Sequence, residues 1–368
     1  MAERKIAYFV SHHGFGHAAR ASAVMQSVHD LRPDIHFDLF TLTPRWFFDT
    51  SLTFKYGYYE IPTDVGLVQR SPLEEDLPAT IRRIEEFLPF PNGSSQPVVR
   101  QLAQSRYELC ICDISPFGLA ASKAAGIPAV LIENFTWDWI YTGYMAEFPE
   151  FNRYINLFSE IFQNADFHIQ ARPVCRPSKN ADLVTNPIAR KPRMSKAEIR
   201  RLLDIPLQAA VVLITMGGFE VNFSFIKQLA AYRDIWFIIP GGTKGKVERY
   251  SNLVLLPHHS DFYHPDLIHT SDAVISKAGY STLAEAYQVG IPFGYVSRDR
   301  FRESPVLSAF IQQNMRGFEI NGESFQSGGW IDSVQELLDL GRTELKGEDG
   351  ANQAAEFIVN LLDNHPRI

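Results

Sequence analysis

The stretch SHHGFGHA, Ser11 to Ala18, places three histidines and two glycines between a short apolar run and a helical pattern. Glycine at such a turn lets a ligand approach the backbone closely, and histidine is the side chain best suited to exchange a proton near neutral pH. His17 falls at the start of the helix, where the helix dipole favours a neutral imidazole that can accept a proton. The stretch therefore predicts a general base, His17, beside a substrate loop containing His13, Gly14 and Gly16.

Two other interpretations of this stretch are open. Gly14 to Ala19 matches G-x-G-x-x-A, the dinucleotide fingerprint, which requires an acidic residue at the end of the second strand. Here the second apolar run, HFDLFTLTP, has Asp38 inside it and ends in threonines, so a nicotinamide cofactor is disfavoured. Alternatively the glycines serve only to turn the chain and the histidines are exposed. For His12 and His13 a further alternative is that one packs inward and the other positions the loop.

A second stretch, DAVISKAGYSTLAEAYQVGIP, runs from an apolar strand through Gly279 to the hydroxyls of Ser281 and Thr282, and then into a helix. Amides at a helix start, joined by hydroxyls, bind phosphate oxygens. Glu285 would repel a bare phosphate but could accept hydrogen bonds from the hydroxyls of a ribose. Diphosphate and ribose together indicate a nucleotide. The alternative is a capping box, in which Ser281 or Thr282 caps the helix and Glu285 closes the box.

Three more strand ends in the same half carry candidate ligand-binding groups. TMGGFE places Gly217 and Gly218 where their amides could approach the same diphosphate, and LLPHHSDF places His258 where backbone groups could contact a base. SRDRFRESP supplies Arg298 or Arg300, either of which could pair with phosphate, and Glu303, which could hold sugar hydroxyls. Several such loops in one half of the chain favour a binding pocket over unrelated turns.

The aromatic element NFTWDWIY, Asn134 to Tyr141, follows the apolar run PAVLI and so begins at another strand end. Asp138 could accept hydrogen bonds from the hydroxyls of a sugar, with Asn134 on the same acceptor or sugar side. The aromatic residues that could stack on the sugar face are Trp137, Trp139, Tyr141 and Tyr144. The alternative is that at least two of the aromatic residues belong to the core. Asp113, which ends the run ELCICD, is a further candidate with a structural or an acceptor-side role.

Short apolar runs alternate with helical patterns in both halves of the chain, which predicts parallel βαβ units. The pattern restarts after the proline-containing segment TNPIARKPRMSKAEIRR, where Ser195 and Glu198 have the spacing of a capping box. We predict an α/β protein with two doubly wound, Rossmann-like domains facing across a cleft. Their bounds are 1–188 and 189–348, and a helix over 349–368 packs back on the first domain.

Composition excludes several classes of function. The net charge of −7 argues against a nucleic-acid-binding protein, which needs a basic surface. Two of the three cysteines lie two residues apart in an apolar strand and are expected to pack as small hydrophobic residues. No stretch reaches the length of a membrane span. We expect a cytoplasmic protein without a membrane span, and peripheral membrane contact stays open.

The motifs described above resemble those of nucleotide-sugar glycosyltransferases of the GT-B fold, of the glycosyltransferase family 28 type. In that group the glycine loop of the first domain ends in His, as GFGH does here, and the second domain carries GG-x-x-T-x-x-E-A, matched by KAGYSTLAEA with Ala278 replacing the first glycine. HHGFGHAAR and NFTWDWIY are similar to elements of the glycosyltransferase-like amino-terminal domain of plant L-arabinokinases. The resemblance extends to about residue 320 and implies a stand-alone form of that domain.

The resemblance implies an inverting, metal-independent transfer that needs no cofactor beyond the nucleotide sugar. The first domain would bind an unidentified small-molecule or glycan acceptor, with His17 as base. The second would bind the donor, UDP-linked by the habit of the family, with diphosphate on Gly218, Ser281 and Thr282 and ribose on Glu285. Two alternatives are a nucleotide-sugar hydrolase, in which His17 activates water, and a non-catalytic module that binds nucleotide sugars.

Overall fold

The computed structural model of the protein describes residues 4–71, 74–90, 95–217, 223–344 and 347–364. The chain divides into two compact units. The first unit contains Met1–Ile188, Phe301–Glu303 and Glu348–Ile368, and the second contains Ala189–Arg300 and Ser304–Gly347. Each unit is built around its own mainly parallel sheet.

Strands and helices alternate along the first unit, as the apolar runs predict. In chain order they are β1 (Arg4–Val10), α1 (Phe15–Leu31), β2 (Ile35–Thr41), α2 (Arg45–Ser51), β3 (Gly57–Glu60), β4 (Gln69–Ser71), β5 (Glu74–Glu75), α3 (Leu77–Phe87), α4 (Ser95–Ser105), β6 (Leu109–Asp113), α5 (Pro116–Ala125), β7 (Ala129–Glu133), α6 (Trp137–Thr142), α7 (Phe151–Gln163), β8 (Phe167–Ala171) and β9 (Leu183–Thr185).

The main sheet of the first unit has the order β3-β2-β1-β6-β7-β8-β9 within the described residues, and neighbouring strands are parallel. Because the strands are parallel, their carboxyl ends meet at one edge of the sheet. Strand β1 lies directly beside β6, with Val10 opposite Asp113. This register brings the loop after β1 next to the end of β6, although about a hundred residues separate them in the chain.

The second unit repeats the pattern. Its elements are α8 (Lys196–Leu202), β10 (Ala210–Thr215), α9 (Ile226–Leu229), β11 (Ile235–Thr243), β12 (Glu248–Tyr250), β13 (Leu253–Pro257), α10 (His264–Thr270), β14 (Ala273–Lys277), α11 (Tyr280–Gln288), β15 (Phe293–Val296), α12 (Ser304–Asn314), β16 (Gly317–Glu319), α13 (Gly322–Ser327), a 3₁₀ turn (Ile331–Ser333) and α14 (Val334–Asp339). The sheet order is β12-β13-β11-β10-β14-β15-β16, parallel except for the β12–β13 pair.

Helix α15 (Gly350–Asn364) closes the chain and packs against α1 in the first unit. Arg4 and Arg32 both donate to Asp363, near the end of α15, at 2.8 Å. The capping box predicted for α8 is confirmed, since Ser195 and Glu198 each bond the other's backbone.

The cores confirm the expected doubly wound α/β class. Apolar side chains from both faces of each sheet are buried under helices, which is why the strands read as continuous apolar runs. Cys110 and Cys112 lie in the core of the first unit as predicted, and burial raises the pKa of both thiols. Within the described ranges, no helix has the length and apolar character to cross a membrane.

Candidate functional site

His17 lies in the first turn of α1, at the carboxyl edge of the first sheet. Gly14 caps this helix with a φ of 72°, a left-handed conformation that favours glycine, so the chain can leave β1 and enter the helix within a few residues. The turn directs the imidazole to the end of β6. There His17 Nδ1 lies 2.8 Å from Asp113 Oδ1, and both side chains are buried.

Asp113 is the centre of a buried charged cluster. Arg20, one turn after His17 on the same face of α1, donates from Nε to Oδ2 and from Nη2 to Oδ1, both at 2.7 Å. Burial alone would raise the pKa of Asp113, but the guanidinium of Arg20 and the contact with His17 hold it below its ordinary value. Asp113 is therefore an ionised carboxylate.

The charge on Asp113 determines the tautomer of His17. An ionised carboxylate only accepts hydrogen bonds, so the 2.8 Å contact requires the proton on His17 Nδ1. Arg20 Nη2 also lies near Nδ1, at 3.2 Å. Among the described residues the polar contacts of the ring are made at Nδ1, which leaves the lone pair of Nε2 to accept a proton. The sequence pattern predicted His17, but it did not indicate Asp113 as its partner and did not indicate Arg20.

The cluster extends from Arg20 to two further predicted residues. Arg20 Nη1 donates to Asn134 Oδ1 at 2.6 Å, and Asn134 Nδ2 donates to Glu303 Oε1 at 2.7 Å. Glu303 had been predicted to act beside Arg298 on the donor sugar. The structure instead brings Glu303, from the short segment Phe301–Glu303, to Asn134 in the first unit.

Trp137 is a core residue and not a surface for stacking a sugar. The residue is 1% exposed, and its ring packs edge-on against the ring of His13. The ring centroids of Trp137 and His17 are 6.3 Å apart, and Trp137 Nε1 donates to Asp64. Tyr141 is also buried, so at least two aromatic residues of this element belong to the core, as the alternative interpretation predicts. An amphipathic helical spacing in NFTWDWIY could have indicated this burial.

His13 has a positioning contact, because its Nδ1 accepts from the amide of Leu67 at 3.3 Å. A Cβ on Gly66 would lie 2.7 Å from the same nitrogen, so the chain must have glycine there for the histidine to fit. Gly16 lies inside the first turn of α1, and Asp138 lies in α6, buried and paired with Arg176.

In the second unit, the predicted phosphate loop joins β14 to α11. The helix begins at Tyr280 with Gly279 as its N-cap, and no side chain caps it. The capping-box alternative for Ser281, Thr282 and Glu285 is therefore wrong. Ser281 and Thr282 lie in the first turn, so their amides have no side-chain cap and the positive end of the helix dipole is available to an anion.

Lys277 lies at the same loop and was not singled out in the sequence. Its Cε lies 3.2 Å, and its Nζ 3.9 Å, from the point that a Cβ on Gly217 would occupy. Gly217, at the end of β10, has a φ of +65°. The two glycine turns and a cation thus converge on one place, next to the start of α11. The neighbouring Gly218 lies outside the described residues.

Glu285 is engaged within the second unit. Its Oε1 accepts from Arg190 Nε at 2.8 Å, its Oε2 lies 2.9 Å from His264 Nδ1, and the residue is 2% exposed. Burial would raise the pKa of Glu285, but Arg190 and His264 hold it below the ordinary value. Both oxygens that were predicted to bind ribose thus already have partners in this structure.

Two further predicted donor residues occupy loops after strands. His258 follows β13 and is half-buried, and Arg298 follows β15 and is buried. Throughout the part of the chain that the structure describes, no group of three or more His, Cys, Asp and Glu side chains has a geometry suited to a metal ion.

No family model matches the chain. A curated relative, L-arabinokinase from Arabidopsis thaliana, is 27% identical over 356 residues, which are 96% of this chain and 34% of the relative. The chain therefore spans about a third of the length of the curated relative it matches. The predicted resemblance to plant L-arabinokinases is confirmed by this match.

Similar solved structures cover nearly the whole chain at low identity. Arabidopsis thaliana UGT89C1, complexed with quercetin, has a TM-score of 0.63 at 11% identity, covering 97% of this chain and 99% of its own. The glycosyltransferase SnogD from Streptomyces nogalater has a TM-score of 0.56 at 14% identity, and the match covers 97% of this chain and 99% of SnogD. MurG from Acinetobacter baumannii has a TM-score of 0.53 at 15% identity, and the match covers 98% of this chain and 99% of MurG. The predicted GT-B fold is confirmed.

Proposed function

We propose that this protein transfers a sugar from a nucleotide-diphosphate sugar, UDP-linked, to a hydroxyl group of a small-molecule or glycan acceptor. The observation that carries the proposal is the His17–Asp113 pair at the carboxyl edge of a parallel sheet, in a chain with the GT-B fold. An imidazole that is oriented by a buried carboxylate is an arrangement suited to general-base catalysis. We place the protein in the cytoplasm.

In the proposed reaction His17 Nε2 removes the proton from the acceptor hydroxyl. The acceptor oxygen forms a bond to the anomeric carbon, while the bond from that carbon to the diphosphate oxygen breaks. The nucleoside diphosphate leaves with the electron pair, and attack from the opposite face inverts the configuration. Asp113 keeps the proton on Nδ1 and stabilises the imidazolium that forms, as in other histidine–carboxylate pairs.

The loop of the second unit supports binding of the donor. Lys277 and the uncapped first turn of α11 provide positive charge for the diphosphate, which gains negative charge as the bond breaks. These groups stabilise a leaving diphosphate without a metal ion, so the reaction is proposed to be metal-independent. Glu285 would reach a ribose only if its contacts to Arg190 and His264 rearranged, so its proposed role is to shape the pocket.

The first test identifies the donor. The melting temperature of the protein is measured with UDP-, GDP-, dTDP- and ADP-sugars, with NAD as the control, because a ligand of the native state raises the midpoint. We expect a shift with UDP-sugars. Lys277→Ala should remove the shift, whereas Lys123→Ala, at an exposed lysine in the last turn of α5 in the first unit, should keep it. A shift with NAD alone would refute the donor site.

The second test separates transfer from its alternatives. Release of nucleoside diphosphate and formation of glycoside are measured with and without a panel of hydroxyl acceptors, in the presence and absence of EDTA. We expect acceptor-dependent release that EDTA leaves unchanged, and a loss of about 10²–10⁴-fold in His17→Ala with donor binding retained. Release without acceptor would indicate hydrolysis, and binding without turnover would indicate a binding module.

A further inference from the structure

A polar cavity lies in the first unit, between the sheet and helix α7. Its volume is about 650 Å³, and the segment from Arg176 to Asp182 borders it. This volume falls within the roughly 300–1,000 Å³ of small-ligand sites. The side chains that matter for its chemistry are Glu133, Asp138, Phe162, His168, Gln170 and Arg176.

The cavity does not belong to the group around His17. Asn134 directs its amide to Arg20 and Glu303, whereas its neighbour Glu133 contacts His168 and Gln170 in the cavity wall. Adjacent side chains at a strand end point to opposite faces of the sheet. Trp137 and Asp138 are consecutive residues of helix α6 and also point in different directions: Trp137 packs towards His17, while Asp138 lines the cavity.

Asp138 lines this cavity and has an acceptor without a hydrogen-bond partner among the described residues. The residue is 3% exposed, and its Oδ2 accepts from Arg176 Nη1 at 3.2 Å. Its Oδ1 is buried and has no hydrogen-bond partner among the residues that the structure describes. A buried carboxylate oxygen without a donor is costly, and a ligand that supplies the donor would remove that cost.

Glu133 offers a second acceptor. Its Oε1 receives hydrogen bonds from Gln170 Nε2 at 2.6 Å and lies 2.8 Å from His168 Nε2. Its Oε2 makes no hydrogen bond to any residue in the described ranges. Gln170 is itself fully used, because its Oε1 accepts from the amide of Ser178 at 2.8 Å. The acceptors left for a ligand are thus carboxylate oxygens.

The hydrogen-bond partners of the carboxylates in the cavity wall favour a neutral ligand with hydroxyl groups over a cation. Each of the four carboxylates in the lining already has a partner. Arg176 pairs with Asp138, and His168 lies against Glu133. Asp166 and Asp182 accept from the backbone amides of Ala129 and His168. Leu131 and Phe162 contribute an apolar wall. A sugar ring has hydroxyls around its edge and C–H groups on its face, which matches carboxylates on one side and an apolar surface on the other.

We propose that this cavity is a carbohydrate-binding site, separate from the residues assigned to transfer. One sugar ring donates hydroxyl hydrogen bonds to Asp138 Oδ1 and Glu133 Oε2 and packs its face against Phe162. The proposal concerns binding alone and holds whether or not the chain transfers sugars.

The test uses ligand-observed NMR and titration calorimetry on the full chain, with D-glucose, D-galactose, D-xylose and L-arabinose as probes. At least one sugar should bind, and Asp138→Asn and Glu133→Gln should each weaken it by about tenfold or more, since each removes a charged acceptor. Asp30→Asn, at an exposed carboxylate on α1, is the control and should bind as wild type. His17→Ala should also keep this binding while losing transfer.

A second arm does not depend on variants that fold. The per-O-methyl ether of the sugar that binds keeps the ring but lacks hydroxyl donors, and it should not compete with that sugar on the wild-type protein. Spermidine tests the cation alternative. Binding of the methyl ether, competition by spermidine, or no binding of any sugar would each overturn the proposal.

Discussion

Each unit of this protein buries a carboxylate between an arginine and a histidine, but the two groups are built differently. In the first unit Arg20 binds both oxygens of Asp113, and His17 shares Oδ1 with it. In the second unit Glu285 divides its oxygens, one to Arg190 and one to His264. In both, the neighbouring cation and histidine hold the pKa of the carboxyl below its ordinary value.

The difference lies in where the three side chains originate. His17 and Arg20 are one turn apart on α1, so one helix presents both to the strand end that carries Asp113. Arg190, His264 and Glu285 come from three separate segments, and Arg190 also lies over the ring of Tyr263 at 5.2 Å. The first group orients a histidine whose second nitrogen makes no polar contact with the described residues, whereas the second joins the segments around the donor loop.

The largest expected effect separates the two carboxylates. Asp113→Asn and Glu285→Gln should each lower the free energy of unfolding by about 3–5 kcal/mol, because each leaves a buried arginine without its counter-charge. Only Asp113→Asn should also lower kcat at saturating donor, by roughly 10³–10⁴-fold. Chemical denaturation and steady-state kinetics measure both quantities. An equal loss of kcat in Glu285→Gln would erase the distinction between catalytic and structural groups.

Exchange of arginine for lysine should sharpen the comparison. Lysine cannot reproduce the planar fork that binds two oxygens, so Arg20→Lys should misplace Asp113 and His17 and reduce kcat by roughly 10²-fold. Arg190→Lys should instead raise the KM for the donor and leave kcat nearly unchanged. Kinetics across donor concentrations distinguish the two. The pH profile of kcat should move in Arg20→Lys, which a purely structural arginine would not cause.

The loss of folding stability at acidic pH should depend on the carboxyl groups of both Asp113 and Glu285. The folded pKa of each carboxyl is lowered, so its contribution is present above the unfolded value of about 4 and is lost as the pH falls through the folded value. Melting temperatures between neutral pH and strongly acidic pH should decline steeply in that region. Asp113→Asn and Glu285→Gln should each flatten the decline. A decline unchanged in one variant would show that its carboxylate contributes nothing.

The smallest expected effect concerns a third histidine–carboxylate contact, His12 Nδ1 to Asp64 Oδ1 at 3.3 Å. Burial would lower the pKa of His12, but Asp64 raises it above the ordinary value. The contribution is therefore present below about pH 6.5 and is lost as the pH rises through the folded value. Because His12 is partly exposed, we expect at most about 1 kcal/mol. His12→Gln should remove this pH-dependent contribution to the free energy of unfolding. Chemical denaturation at several pH values between mildly acidic and alkaline measures the change.

Much of the fold follows from local patterns. The runs KIAYFVS, HFDLFTL, ELCICD and PAVLIEN predict β1, β2, β6 and β7 almost to the residue, because a strand buried on both faces must be apolar throughout. Short edge strands such as β3, β9 and β16 were not predicted, since they are short and partly exposed and leave little signal. The α11 capping box was wrong because hydroxyl and carboxylate spacing alone does not determine where a helix begins.

What the sequence by itself determined is each group's place on its own element: His17 at a helix start, Asp113 at a strand end, Ser281 and Thr282 beside a glycine turn. Those positions depend on neighbouring residues and can be inferred from short stretches. Only the tertiary structure decided which groups meet. The pairing of His17 with Asp113, of Glu303 with Asn134 and of Glu285 with Arg190 depends on strand order, register and side-chain direction, which join residues about a hundred or more positions apart.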